Sequence, residues 1–154
     1  MDIHLARGDT TYHLSGLSYL SAVLDDVVAA AVAVSLGQMC GEAVFNLEPG
    51  RLRLSCIQEY DWGVEARRVF LRVDSSQSDY GDPMPFAWDE LWVAELDHAD
   101  EFASAVLSGA KELEARHGHD GYYDQWVESP FPVRGVAALA ASLEIQSLKN
   151  RAED

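Results

Sequence analysis

Hydrophobic positions recur at three- and four-residue intervals early in the chain. Between Leu17 and Leu36 the recurring apolar residues are Leu20, Val23, Leu24, Val27, Val28, Ala31 and Val34. This spacing places side chains on one face of an α-helix, and Gly37 comes next as a stop signal. Val enrichment over Ala29–Leu36 leaves a buried strand as the alternative. The pattern favours a helix over Leu17–Leu36.

The middle of the chain alternates between apolar and polar positions instead. Arg51–Gln58 and Arg67–Asp74 both have a period of two, which predicts strands with one buried and one solvated face. Glu48-Pro49-Gly50 has the composition of a turn and separates Ala43–Leu47 from the first of these strands. We therefore expect a hairpin followed by an antiparallel meander.

A fourth strand is predicted over Trp88–Leu96, where both faces carry apolar residues. Strict alternation puts Trp88, Trp92, Ala94 and Leu96 on one face and Leu91 and Val93 on the other. The segment from 75 to 85 is rich in Ser, Asp, Gly and Pro, so it is predicted to be a surface loop.

Two helices are predicted after the strands. The first begins near Ala99 behind the capping residue Asp97 and ends at Gly118. The second runs from about Pro132 to Asn150, and residues 151–154 form a frayed tail. Tyr122, Tyr123, Trp126 and Phe131 lie between them and are interpreted as a connector whose rings seal the core.

The order α-β-β-β-β-α-α predicts an α+β fold. We expect a single two-layer domain over residues 1–154, with a mostly antiparallel four-stranded sheet and helices packed on it. The hydrophobic fraction of 48% in 154 residues is enough for a self-sufficient core. No element is predicted before Leu17, and the pattern gives His4 and His13 no partner.

Charge narrows the possible partners. The chain has 11 Lys and Arg against 26 Asp and Glu, a formal net charge of −15. Such a molecule is repelled by nucleic acid and by anionic lipid, so we expect a basic or neutral protein partner. The uncharged stretch Val27–Gly41 has fifteen residues, too few to cross a bilayer.

The two cysteines and the first residues of the chain indicate in which cellular compartment the protein is expected. Cys40 and Cys56 match neither a redox pair nor a zinc-ligand spacing, and both are predicted to be reduced and buried. The first residues lack the basic region and apolar run of a secretory leader. A cytoplasmic location is therefore expected.

Acidic residues cluster between Val73 and Ala110, which hold nine Asp and Glu and no Lys or Arg. Such segregation is typical either of an ordinary solvated surface or of a field that steers a basic partner. Aromatic residues beside carboxylates are typical of an interface. The predicted partner-binding residues are Asp79, Tyr80, Asp82, Asp89 and Glu90.

No nucleophile, phosphate-binding or dinucleotide-binding motif is present, so no catalytic residue or cofactor is predicted. The densest polar segment is His117–Asp124, with two imidazoles and two carboxylates. A metal site is conceivable there, but the glycines also fit a helix-ending loop, and no metal is expected. A metal- or small-molecule-binding enzyme using this loop is the alternative function.

The succession of elements resembles that of small acidic bacterial domains, including the immunity proteins of polymorphic toxin systems. The resemblance rests on the apolar first helix, the turn at Glu48-Pro49-Gly50, the strand meander, the helix ending at Gly118 and the aromatic connector. It implies a non-catalytic protein that binds a cognate toxin domain. No active-site motif is matched, so the resemblance implies no residue role.

The leading hypothesis is a non-enzymatic acidic protein that binds a basic protein through Asp74–Glu101. A homo-oligomer, such as a homodimer joined through a strand edge or the aromatic connector, is a further alternative.

Overall fold

A computed structural model of the protein describes residues 3–15, 17, 22–47, 50–63, 66–76, 87–126 and 129–153. Nine elements succeed one another in chain order over these residues. They are β1 (Ile3–Arg7), β2 (Thr10–Leu14), α1 (Val23–Ser35), β3 (Cys40–Asn46), β4 (Arg51–Asp61), β5 (Ala66–Ser76), β6 (Asp89–Leu96), α2 (Ala99–Gln125) and α3 (Val133–Glu153).

The predicted α+β architecture is confirmed. Strands β3 to β6 form an antiparallel sheet in sequential order, and β1 and β2 form a separate hairpin. The helices pack on one side of the larger sheet, with α1 against β3 and with α2 and α3 against α1. Within the described residues, no helix is both long enough and apolar enough to cross a membrane.

The core lies between the helices and one face of the sheet, called here the inner face. Alternate residues of the strands build this face because successive side chains of a strand point to opposite sides. Phe45 is 0% exposed and Leu54 is 1% exposed. The inner face comprises Gly41, Ala43, Phe45, Leu52, Leu54, Cys56, Gln58, Val69, Leu71, Val73, Trp92, Ala94 and Leu96.

Helix α1 approaches the sheet closely at Gly41. A Cβ atom at this position would lie 2.1 Å from the carbonyl oxygen of Ala30, so only glycine fits. On its other side α1 meets α3, where the buried Ser35 and Ser142 hydroxyls share a hydrogen bond of 2.7 Å. These contacts fix α1 as the central helix of its layer.

The N-terminal hairpin corrects the predicted order of elements. Strands β1 and β2 pair around the turn at Gly8, whose φ of +55° suits glycine. The expectation that His4 and His13 have no partner is wrong, because the register places them opposite each other and their rings stack at 4.0 Å. The observed order is β-β-α-β-β-β-β-α-α.

Several predicted boundaries also shift. Helix α1 is confirmed from Val23, and residues 18–21 of the predicted helix lie outside the described residues. Ser75 and Ser76 belong to β5, since both pair with β4, and residues 77–85 of the predicted loop lie outside the described residues. The predicted tail is helical to Glu153, because no Gly or Pro interrupts α3 after Gly135.

The prediction for α2 is right about Gly118 and wrong about the residues after it. Gly118 leaves the helical conformation at φ 66° and ψ 178°, as a helix-ending glycine would. The chain then resumes a helix to Gln125, so the predicted loop His117–Asp124 is helical apart from this kink. The resumed turn packs the buried Tyr122 against the core, which favours helix over loop.

Asp97 is not the N-cap of α2. His98 holds that position, and the Glu101 carboxylate accepts hydrogen bonds from the backbone N–H groups of Asp97 and His98. The carboxylate of Asp97 instead accepts a hydrogen bond of 2.7 Å from Arg7. Arg7 of the hairpin therefore binds the Asp97 carboxylate, which was expected to cap the helix.

Candidate functional site

The face of the sheet opposite the helices is called here the outer face. The described helices all lie on the inner side. The outer face combines charged, aromatic and aliphatic residues, in contrast to the apolar inner face. Its principal members are Glu42, Val44, Arg53, Ser55, Ile57, Arg68, Phe70, Arg72, Asp74, Trp88, Glu90, Leu91, Val93 and Glu95.

A β-bulge places Trp88 on this face. The pairing of β5 with β6 shifts between Val73, opposite Trp92, and Asp74, opposite Glu90, so β6 carries one extra residue. The extra residue reverses the alternation in the strand before it. Trp88 therefore lies beneath Arg53, with the guanidinium carbon 4.5 Å from the ring centroid, and not beside Trp92 as predicted.

A buried carboxylate anchors this part of the outer face. Asp74 is 0% exposed, although β5 directs it away from the core. Arg53 donates to Asp74 Oδ2 from Nε at 3.1 Å and from Nη2 at 2.9 Å, and Arg72 donates to Oδ1 from Nε at 2.7 Å. A carboxylate removed from water needs such charged donors, so Asp74 and the two arginines form one unit.

Ser55 lies next to this unit, opposite Arg72 in the β4–β5 register. Its side chain is 2% exposed, and its hydroxyl has no hydrogen-bond partner among the described residues. A buried hydroxyl without a partner is costly and uncommon in folded proteins. Sequence alternation places Ser55 on the solvated face, so its burial depends on tertiary contacts that the pattern does not contain.

An aliphatic and aromatic strip runs across the outer face from β4 to the edge strand β6. Leu91 and Val93 are each 43% exposed, which is high for large apolar side chains. Ile57 and Phe70 are paired neighbours in the same strip and are half-buried. Arg68 closes one end of the strip, with its guanidinium carbon 4.9 Å from the centroid of Phe70.

Arginines from other strands form ion pairs with several carboxylates of the predicted acidic stretch. Arg72 reaches Glu90 at 3.3 Å as well as Asp74, and Arg68 reaches Glu95 at 2.8 Å. The pKa of Glu95 is lowered because it accepts hydrogen bonds from Arg68.

At the other end of β6, Arg7 of the hairpin reaches Asp97 at 2.7 Å and Glu101 at 2.6 Å. Within the described part of the stretch, Asp89 and Asp100 have no ion pair. The absence of a base in the linear stretch therefore does not produce an uninterrupted acidic surface, because strands distant in sequence supply the bases.

Of the predicted partner-binding residues that the structure describes, only Glu90 belongs to the outer face, because Asp89 pairs with Ser75 and so points to the other side of β6. Asp89 and Glu90 are exposed at the start of β6, and Glu90 lies opposite Asp74. Asp79, Tyr80 and Asp82 lie outside the described residues. Sequence reasoning assigned no role to Arg53, and it counted Trp88 among the aromatic residues beside carboxylates without including it in the predicted partner-binding residues. The only sequence signal for Arg53 was its place on the basic face of a predicted strand.

Comparisons with known proteins assign this chain to no family. No family model, no curated protein and no solved structure matches it. The resemblance to immunity proteins stays a prediction, and the function is argued from geometry and charge.

The alternative site at His117–Asp124 does not converge on one point in the described residues. His119 contacts Glu114 at 2.7 Å and stacks on Phe131 at 5.2 Å, whereas His117 meets the edge of Trp126 at 5.8 Å. No group of three or more His, Cys, Asp or Glu side chains within the described residues is arranged to hold a metal ion.

The aromatic connector packs largely as predicted. Tyr122 is buried and stacks on Trp126 at 4.6 Å, and Phe131 meets Tyr122 edge-on at 5.4 Å. Burial raises the pKa of the Tyr122 hydroxyl to about 12. Tyr123 is exposed, so it does not share in sealing the core.

The two cysteines lie on neighbouring strands but face opposite ways. Cys56 is on the inner face and its pKa is raised to about 12, chiefly by burial. Cys40 is exposed, so the prediction that both thiols are buried is wrong for Cys40, which begins an edge strand. Its pKa is raised by partial burial. Because the register pairs Cys56 with Gly41, the two side chains point to opposite sides of the sheet and cannot meet in a disulfide.

Proposed function

We propose that the protein is a non-enzymatic binding protein that recognises a basic protein partner through the outer face of its sheet. The observation that carries the proposal is the apolar strip containing Leu91 and Val93, each 43% exposed, beside the ordered unit of Arg53, Asp74 and Arg72. A partly exposed apolar patch beside polar and charged groups is the usual composition of a protein interface.

The side chains of this face suit strong, specific contacts. Trp, Tyr and Arg supply most interface hot spots, and Arg53 and Trp88 lie against each other here. Asp74 and Trp88 hold the Arg53 side chain from two sides. Less side-chain entropy is lost when a partner binds a residue that is already ordered, so the arrangement lowers the cost of association.

The charge of the molecule supports a basic partner. Although arginines compensate many acids on the outer face, the whole chain has a net charge of −15. Glu59 is exposed near the end of β4 on this face, and neither it nor the exposed Asp89 at the start of β6 has an ion pair within the described residues. A field of this sign accelerates the encounter with a cation, and a toxin domain of the kind bound by immunity proteins is one such partner.

A matched pair of double variants tests the surface. Leu91→Gln with Val93→Gln removes the exposed apolar side chains of β6 from the outer face, whereas Ile145→Gln with Leu148→Gln changes two residues of α3 that are 53% and 59% exposed. The immobilised parent and both variants are exposed to extract from the source cells. Bound proteins are identified by mass spectrometry, and the affinity of the purified partner is then measured.

We expect one partner with a high isoelectric point to bind the parent and the α3 variant and to be lost from the outer-face variant. Equal binding by both variants would contradict the proposed surface. An acidic partner would contradict the charge argument, and a concentration-dependent dimer broken by the outer-face variant would favour a homodimer instead.

Association kinetics test the charged residues directly. Replacing Asp79, Asp82 and Asp89 with Asn should slow association with the basic partner and weaken its salt dependence. The Debye length falls from about 10 Å at 0.1 M salt to about 3 Å at 1 M, so steering is lost as salt rises. A triple variant that associates at the parental rate, with the same salt dependence, would remove the role assigned to these carboxylates.

A further inference from the structure

A large cleft lies on the helix side of the molecule, away from the outer face. It has a volume of about 940 Å³ and lies between β1, the inner face of the sheet, α1 and α2. Pockets that hold small molecules typically measure roughly 300–1,000 Å³. The cleft is therefore large enough for a small molecule and is independent of the proposed protein-binding surface.

The walls of the cleft are mainly apolar and its long axis runs along α2. Leu54 and Leu71 of the sheet and Phe102 and Leu113 of the helix are among its lining residues. The lining of α2 extends from Glu101 to His117, and the sixteen steps between these residues correspond to about 24 Å at about 1.5 Å per residue. This geometry fits an elongated ligand better than a compact one.

Gly109 leaves space in the middle of this wall. It lines the cleft halfway along α2, and a Cβ atom built on it would meet nothing within 4 Å. Glycine in a helix interior lowers helix stability relative to other residues, so its presence needs a compensating reason. Open space for a ligand is such a reason at this position.

The charges along the rim cancel in pairs. At one end Arg7 donates a hydrogen bond of 2.6 Å to the Glu101 carboxylate. At the other end Arg116 donates a hydrogen bond of 2.5 Å to the Glu112 carboxylate. The imidazoles of His4 and His117 also line the cleft and add hydrogen-bonding groups. A site with balanced rim charges in a molecule of net charge −15 disfavours an anionic ligand.

We propose that this cleft binds an elongated, uncharged and mainly apolar small molecule, whose hydrogen-bonding group lies at one of the two polar ends of the cleft. The apolar body fills the space beside Gly109, where burial of apolar surface drives binding. The hydrogen-bonding group fixes the direction of the molecule in the cleft.

A cleft-filling variant provides the test. Gly109→Leu places a branched side chain in the open space, whereas Ser108→Leu adds the same side chain one residue earlier, outside the cleft lining. Binding is measured with phenylnaphthylamine, an uncharged apolar dye that fluoresces when it leaves water. Thermal unfolding of each variant confirms that it is folded.

We expect saturable dye binding to the parent and to Ser108→Leu, and loss of it in Gly109→Leu at an unchanged or higher Tm. Hexadecanol should displace the dye, and palmitate, the carboxylate of the same chain length, should displace it less well. Equal binding by Gly109→Leu and the parent would overturn the assignment of the cleft. Absence of saturable binding to the parent would overturn it too, and stronger displacement by palmitate would overturn the uncharged class of ligand.

Discussion

The two faces of the sheet β3–β6 consist of alternate residues of the same strands, yet they are ordered by different interactions. The inner face is held by apolar burial against α1 and α2, and Phe45, Leu54 and Val73 are almost wholly excluded from water. The outer face is held at one end by the ion pairs of Asp74, and beside them lies a partly exposed apolar strip that reaches the edge strand β6. The alternation of apolar and polar residues therefore assigns each residue to a face of the sheet. It does not show whether the polar face is fully solvated or contains buried groups such as Asp74.

The two faces also differ in the hydrogen bonds that their buried polar groups make. On the inner face, Gln58 donates its side-chain N–H to the Gln38 carbonyl at 2.8 Å, a neutral bond to the backbone. On the outer face, the buried group is a carboxylate that two charged side chains hold. Charge-assisted hydrogen bonds are stronger, but loss of one member leaves a charge without its partner. The two faces should therefore respond differently to substitution.

Thiol labelling should give the largest difference between the faces. Cys40 is exposed, whereas Cys56 is buried with a pKa raised to about 12. Only a thiolate reacts readily, and a buried thiol reacts only when the protein opens, so Cys56 should react slower by orders of magnitude. Mass spectrometry should count one modified cysteine in the native parent and two after denaturation.

The single variants identify the reacting thiol. Native Cys56→Ser should still take one label and native Cys40→Ser none. Rapid labelling of native Cys40→Ser would show that Cys56 does not face the core. Fewer than two reactive thiols in the denatured parent, prepared without reductant, would contradict the register that separates the two side chains.

Two phenylalanines on opposite faces provide the next comparison. Phe45 is 0% exposed on the inner face, and Phe70 is half-buried on the outer face. Phe45→Ala should lower the free energy of unfolding by about 3–5 kcal/mol, the usual cost of truncating a buried phenylalanine. Phe70→Ala should cost about 1 kcal/mol, since its ring is only partly removed from water.

Urea denaturation measures both variants, with an unchanged m-value as the condition for comparing them. If Phe70→Ala were as destabilising as Phe45→Ala, the outer face would be a second core and would not be free for a partner.

The strands of the sheet were the most predictable part of the fold. The alternation over Arg51–Gln58 and Arg67–Asp74 and the glycine of the turn, Gly50 at φ 99°, are local signals. The positions of α1 and α3 and the break at Gly118 also result from local spacing and from glycine. These features need no knowledge of distant contacts, which is why the α+β class could be predicted.

The N-terminal hairpin had a weaker local signal. Ile3 and Leu5 are separated by the polar His4, and Gly8-Asp9 is a two-residue turn sequence. Each strand has only five residues, so the alternation is short. The candidate site was less predictable still, because the buried state of Asp74 and the side of Trp88 depend on the β5–β6 register and its bulge.

The last comparison is between a buried and an exposed ion pair of the outer face. Asp74→Asn keeps the shape of the side chain but removes the charge that Arg53 and Arg72 share. Breaking a buried pair by changing one partner is strongly destabilising, and because both arginines retain some contact with water we expect a loss of about 2–3 kcal/mol.

Glu95→Gln is the matched control, since it removes the charge that faces Arg68 in an exposed pair. Exposed ion pairs contribute little and are screened by salt, so this variant should unfold close to the parental urea midpoint. Urea midpoints at low and high salt measure both variants. The Asp74→Asn loss should persist in high salt, because a pair removed from water is screened much less. Equal, salt-sensitive losses in the two variants would mean that Asp74 is part of an ordinary solvated surface, and the ordered unit on which the proposed binding face depends would not exist.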